Sequence, residues 1–118
     1  MKAIFQCGDF TLHSGQKSAW KIECDSLTQD DWEGLARIAS ERLPPFGSVD
    51  GVPRGGIPFA KAMEKYITPG SAIVLICEDV VTTGASIEKH RAGRSPVAGV
   101  VVFARGKVPD WVTPLFQM

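Results

Sequence analysis

The stretch Ala72-Ile73-Val74-Leu75-Ile76-Cys77-Glu78-Asp79-Val80-Val81-Thr82-Thr83-Gly84-Ala85-Ser86-Ile87-Glu88-Lys89-His90 decides the fold. Ala72 to Cys77 is apolar and rich in β-branched residues, without polar alternation, which is how a parallel strand covered on both faces reads. It is expected mid-sheet. The carboxylates of Glu78 and Asp79 are expected to end that strand, and Thr82-Thr83-Gly84-Ala85-Ser86 forms a small, hydroxyl-rich turn before a helix over Ser86 to Ala92.

Each part of this order has a chemical use. A helix start carries unpaired backbone N–H groups, Gly84 lets the backbone approach closely, and the hydroxyls of Thr82, Thr83 and Ser86 add donors. That is a seat for a phosphate monoester, and a valine at Gly84 is expected to fill it and abolish binding while leaving the fold intact. Carboxylates sharing the pocket would repel the phosphate, so Glu78 and Asp79 are expected to accept hydrogen bonds from vicinal sugar hydroxyls about one ribose length away. The ligand these residues imply is a ribose 5-phosphate.

Bulk properties narrow the class. A chain of 118 residues has room for one small domain with a modest core. Thirteen basic and thirteen acidic residues leave no net charge, so nothing points to nucleic acid or to an anionic membrane surface. Cys7, Cys24 and Cys77 show no C-x-x-C spacing and suit a reducing cytoplasm. The opening residues lack an apolar leader core, and no run approaches the ~20 residues that cross a bilayer. There is no repeat, low-complexity segment, metal-ligand cluster or phosphate-loop lysine motif.

Away from the central stretch, residues 3 to 24 lack a helical period. Gly8-Asp9 and Ser14-Gly15 punctuate short extended pieces, Phe10 to Leu12 and Ser18 to Cys24, which predicts a hairpin-like flap outside the main sheet. Trp32, Leu35, Ala36, Ala39 and Leu43 form one apolar stripe of a helix over Thr28 to Leu43, capped by Thr28 and stopped by Pro44-Pro45. A short strand over Ser48 to Val52 leads into Pro53-Arg54-Gly55-Gly56-Ile57-Pro58, where two glycines expose backbone amides and Arg54 offers a forked donor, a nest for a second anion. A helix over Phe59 to Ile67 follows with Phe59, Ala60, Met63 and Ile67 inward, and Pro69-Gly70 turns directly into the central strand. Val97 to Ala104 is another buried strand. Arg105 follows it at the sheet edge where open parallel sheets place ligands, and Val112 to Phe116 reads as an edge strand.

These motifs resemble the type I phosphoribosyltransferases, whose signature is a hydrophobic strand, two acidic residues, two small or apolar residues and a Thr/Gly-rich loop. The run Gly8-Asp9-Phe10-Thr11-Leu12-His13-Ser14-Gly15-Gln16-Lys17-Ser18 is similar to the N-terminal hood of the orotate phosphoribosyltransferases. His13 stands where lysine is usual there, and Trp20-Lys21-Ile22 replaces a more aromatic stretch. The resemblance implies a small, doubly wound α/β domain with a parallel sheet of about four strands and three helices: a β hood over residues 1–27 and a core over 28–118. It also implies that Glu78 and Asp79 bind the ribose of phosphoribosyl pyrophosphate, Asp79 being the foremost catalytic candidate. Thr82, Thr83, Gly84, Ala85 and Ser86 would bind its 5-phosphate, and Arg54, Gly55 and Gly56 its pyrophosphate. His13, Lys21 and Arg105 would face the base. Magnesium would be carried by the diphosphate rather than by protein ligands, and a homodimer is implied as well.

One part of the family pattern is missing. Members insert a further strand and a long mobile loop between the Phe59 helix and the central strand, and here nothing is left over. Two outcomes are open: transfer of the phosphoribosyl group to a base, most naturally orotate, or a regulatory module that binds phosphoribosyl pyrophosphate or a nucleotide without turnover, alone or as a partner-bound subunit.

Overall fold

The computed structural model describes residues 4–12 and 15–118. Two strands near the N-terminus, β1 (Phe5–Thr11) and β2 (Lys17–Ile22), pair antiparallel with an irregularity between Cys7 and Phe10. They form the hood. After a single 3-10 turn at Cys24–Ser26, helix α1 (Gln29–Ser40) begins on Thr28. The Thr28 hydroxyl accepts the Asp31 N–H at 3.2 Å and the Asp31 carboxylate accepts the Thr28 N–H at 2.8 Å, a reciprocal capping box. Thr28→Ala is therefore expected to cost about 1 kcal/mol in urea denaturation. An unchanged midpoint would show that the cap contributes nothing.

The core sheet is parallel throughout, in the order β3 (Ser48–Gly51), β4 (Val74–Val81), β5 (Val97–Ala104), β6 (Val112–Gln117). Helix α2 (Ile57–Met63), extended by a 3-10 turn at Glu64–Tyr66, joins β3 to β4. Helix α3 (Ala85–Arg91) joins β4 to β5. Helices cover both faces. Trp32, Ala36 and Ala39 of α1 and Phe59, Ala60 and Met63 of α2 bury one face together with Leu75, Cys77, Val100 and Val102. Ile87 of α3 packs on the other face with Val52, Ile76, Val81 and Val101.

Three expectations change in detail. The helix expected over Thr28 to Leu43 is α1 over Gln29–Ser40, so Leu43 packs on the core from beyond its end. The central strand was expected to end at the acidic pair, but β4 continues to Val81, because Val80 and Val81 still pair with Phe103 and Ala104 of β5. The carboxylates thus sit inside a strand rather than after it. The helix expected over Phe59 to Ile67 is a seven-residue α2 followed by the 3-10 turn, and Ala62 joins its buried face.

No helix joins β5 to β6. Residues 105–111 run back along the α3 face instead, with Val108 and Trp111 packed on the second core. The Trp111 indole N–H donates to Glu88 Oε1 at 2.6 Å, and the Arg91 guanidinium lies 5.0 Å from its ring centre. Gly99 makes this close approach possible, since a Cβ there would stand 2.8 Å from the indole. Trp111 is a packing residue. Among the described residues no helix is long and apolar enough to cross a membrane.

Candidate functional site

The sheet ends, at its C-terminal edge beneath the hood, in a cavity of about 430 Å³. Its floor is Glu78, Asp79 and Val80 of β4 with Thr82 and Ser86 of the following loop. One side is Pro53, Arg54 and Gly55 from the β3–α2 loop, and Arg105 stands at the end of β5. The hood supplies Thr11, Leu12 and the run from Lys21 to Asp25. An adjoining hollow of about 280 Å³ shares Cys24, Asp25, Arg54, Gly55 and Asp79 and reaches Trp32 and Pro58.

The acidic pair is placed by an irregularity in the strand. Leu75, Cys77 and Val80 face one core while Ile76 and Val81 face the other, so the alternation changes phase across Glu78 and Asp79. Their own carboxylates meet the backbone there: Asp79 N–H donates to Glu78 Oε1 at 3.1 Å, and Val80 N–H donates to Asp79 Oδ1 at 2.8 Å. Glu78 is only 6% exposed. Burial above all, then the hydrogen bond with Asp79 and that residue's charge, push the Glu78 carboxyl up to about 9, so it keeps its proton at neutral pH. The pair thereby offers one donor and one set of acceptors, a combination suited to sugar hydroxyls.

The glycines of the β3–α2 loop have separate reasons. A Cβ on Gly55 would lie 2.1 Å from Asp79 Oδ2, so its absence makes room for that carboxylate. A Cβ on Gly56 would lie 2.2 Å from the Cys77 carbonyl oxygen, so here the backbone itself needs the space. Gly55 forms part of the cavity wall, whereas Gly56 is buried and does not line it.

In the loop after β4, Thr82 and Ser86 reach the cavity, whereas Thr83, Gly84 and Ala85 stand off its wall. The Thr83 hydroxyl turns back to accept the Ala85 N–H at 3.3 Å. Gly84, at φ 83°, supplies the left-handed turn into α3 and is buried against the β5–β6 loop: a Cβ there would meet Pro109 at 3.3 Å. The expected reason for a Gly84→Val defect therefore changes. The branched side chain acts by backbone strain and pressure on Pro109, not by filling the phosphate seat. Gly84→Val is expected to cost about 1–2 kcal/mol of stability and to weaken phosphate binding through the shifted loop. Wild-type stability and affinity together would refute this.

Of the base-side candidates, Lys21 and Arg105 line the cavity, and His13 lies outside the described residues. Lys21 pairs with Glu23 at 3.3 Å and lies 4.9 Å from the Phe10 ring centre. Arg105 is held by the hood strand β2. Sequence reasoning passed over Glu23 and Asp25 in the wall, and Ser18 and Trp20 behind Arg105. The period-2 spacing of Ser18, Trp20 and Ile22 was the available signal, since it puts all three on the face turned to the sheet. The cavity thiol, Cys24, is pushed up by burial first and neighbouring carboxylates second, as is Cys77 in the core, so neither is a nucleophile near neutrality.

Among proteins of known activity, the orotate phosphoribosyltransferase of Thermosynechococcus vestitus is 31% identical over 130 residues, covering 83% of this chain and 68% of that protein. The chain belongs to the phosphoribosyltransferase family. The alignment spans more positions than this chain has residues, so the relative carries inserted sequence within it. No protein-family model matches the chain. Similar folds include the orotate phosphoribosyltransferase of Aeropyrum pernix, with a TM-score of 0.76 at 21% identity over 98% of this chain and 88% of that one. The UMP synthase of Leishmania donovani gives 0.78 at 20% identity, over 98% of this chain and 34% of that one. At such identities the likeness is one of fold. As in the sequence, this family member passes from the 3-10 turn after α2 to β4 through residues 67–73, without a further strand or a long loop.

Proposed function

We propose that this phosphoribosyltransferase-family protein transfers the ribose 5-phosphate group of phosphoribosyl pyrophosphate to a nucleobase, orotate being the first choice. The observation that carries the reading is the convergence of Asp79, Glu78, Gly55, Arg54, Thr82, Ser86 and Arg105 on one cavity. In this reading Asp79 accepts from the ribose hydroxyls while protonated Glu78 donates to them. Thr82 and Ser86 hold the 5-phosphate, Arg54 and the open backbone at Gly55 meet the diphosphate, and Arg105 and Lys21 face the base. The relative from Thermosynechococcus vestitus, named an orotate phosphoribosyltransferase, supports the choice of base.

A base nitrogen would attack the anomeric carbon as its bond to the pyrophosphate oxygen breaks, the electron pair leaving with pyrophosphate. Held at both ends, the sugar is oriented for that displacement, and the chain's contribution is positioning and leaving-group stabilisation. A magnesium ion would be carried by the diphosphate and ribose oxygens, because it dehydrates reluctantly and is held largely through substrate phosphates. Bound there, magnesium would neutralise the leaving group.

The direct passage from α2 to β4 favours a second reading, in which the cavity binds phosphoribosyl pyrophosphate or a nucleotide as a regulatory module, because no long segment is available there to close over the diphosphate. One experiment separates the two. Calorimetric titration with phosphoribosyl pyrophosphate and magnesium, followed by an assay of orotate loss, should give binding and turnover. Binding without turnover selects the regulatory module, and no binding rejects both. We further read the chain as a homodimer acting in the reducing cytoplasm, to be checked by sedimentation.

A further inference from the structure

We propose that Trp20 and Ser18 are positioning residues that pin Arg105, and through it the hood, at the mouth of the cavity. Arg105 is the first residue beyond β5, and its backbone N–H donates to the Val81 carbonyl at 2.8 Å, so its main chain is tied to the central strand. Its side chain then crosses to the hood. The guanidinium carbon lies 3.5 Å from the Trp20 ring centre, within stacking distance. One terminal nitrogen, Nη2, donates to Ser18 Oγ at 2.9 Å, and the other, Nη1, donates to the Trp20 carbonyl at 3.3 Å.

Ser18 is itself held. Its hydroxyl donates to the Trp20 carbonyl at 2.5 Å and accepts the Trp20 N–H at 3.2 Å, in addition to the Arg105 donor. One donor and two acceptors exhaust a serine hydroxyl, so its orientation is determined. Trp20 is absent from the cavity wall whereas Arg105 forms part of it, which puts the indole behind the guanidinium. A guanidinium has five N–H donors in a rigid plane. Two are taken by the hood, and the direction of the other three follows from the plane that Trp20 and Ser18 impose.

The inference deepens the functional reading, because it rests on the cavity being the ligand site. It makes the base side of that site depend on two hood residues that touch no ligand. A loose guanidinium would sample many orientations before meeting an acidic or carbonyl edge; a pinned one has lost that freedom already.

Hydrogen exchange and kinetics test this separately. In the ligand-free protein, Arg105→Lys keeps the charge but loses the fork and the stack. Amides of β1 and β2 should exchange about tenfold faster, with β4 and β5 unchanged. Unchanged hood protection overturns the pin, and faster exchange throughout the sheet also overturns it, by making Arg105 a determinant of the whole fold. Trp20→Leu then tests positioning from outside the cavity wall. The KM for orotate should rise about tenfold while that for phosphoribosyl pyrophosphate stays within about threefold, and Trp20→Phe, which keeps an aromatic face, should restore most of the loss. Equal changes in both constants, or none in either, overturn the positioning role. Should the protein show no turnover, the exchange result still decides whether the pin exists.

Discussion

Gly55→Ala is expected to lower affinity for phosphoribosyl pyrophosphate by about 100-fold, the loss of one or two hydrogen bonds to a charged group, while leaving the fold intact. The added Cβ would stand 2.1 Å from Asp79 Oδ2, 2.4 Å from its Cγ and 2.6 Å from Oδ1. No such approach is tolerated, so the carboxylate must rotate away. In doing so it abandons the Val80 N–H that now donates to Oδ1, and it leaves the position from which it would accept from the sugar. What yields is a side chain, not the backbone, so the cost falls on the site. Gly56→Ala provides the contrast: its Cβ would meet the Cys77 carbonyl oxygen at 2.2 Å, and the backbone atoms of Val52 at 2.9 Å, where the chain leaves β3 beside β4. That variant should lose stability as well as binding. Calorimetry and urea denaturation on both variants check the pair, and tight binding by Gly55→Ala would remove Asp79 from the sugar site.

Glu78→Gln is expected to raise stability increasingly as the pH rises. In the folded protein the Glu78 carboxyl holds its proton to about 9, whereas in the unfolded chain it releases it near the ordinary 4.5. Between these values the folded state binds the extra proton, so stability from this residue is fully present below about 4.5 and declines toward 9, at up to about 1.4 kcal/mol per pH unit. Glutamine has nearly the shape of the protonated acid and does not titrate, so the variant escapes the decline. Denaturation of both proteins at acidic, neutral and mildly alkaline pH measures the difference. A gap that does not widen with pH would show that Glu78 is ionised in the folded state, and the donor role given to it would go as well.

The two acids illustrate how far local sequence carries. That Glu78 and Asp79 come after an apolar run and before a Thr/Gly loop is written in neighbouring residues; that the strand runs on through them to Val81 is not. Nor are their unequal environments. Glu78 is buried in the folded protein, and the clearance of Asp79 over Gly55 depends on a loop more than twenty residues earlier in the chain. The same division holds for Gly84, whose left-handed turn is expected from its residue type but whose contact with Pro109 required the unusual return of the β5–β6 loop.

Hydrophobic period and punctuation by themselves determined the α1 stripe, the β5 strand from Val97 to Ala104, the burial of the central strand and the order of the acidic pair and its loop, because each is a property of residues close in sequence. Only the tertiary structure decided that β4 runs on to Val81, that Arg105 is held by Trp20 and Ser18, and that Glu23 and Asp25 join the cavity wall. The first arises from pairing with β5, the others where the hood folds down over the sheet edge. Contacts between segments some eighty residues apart depend on packing and cross-segment hydrogen bonds, which no short-range pattern encodes.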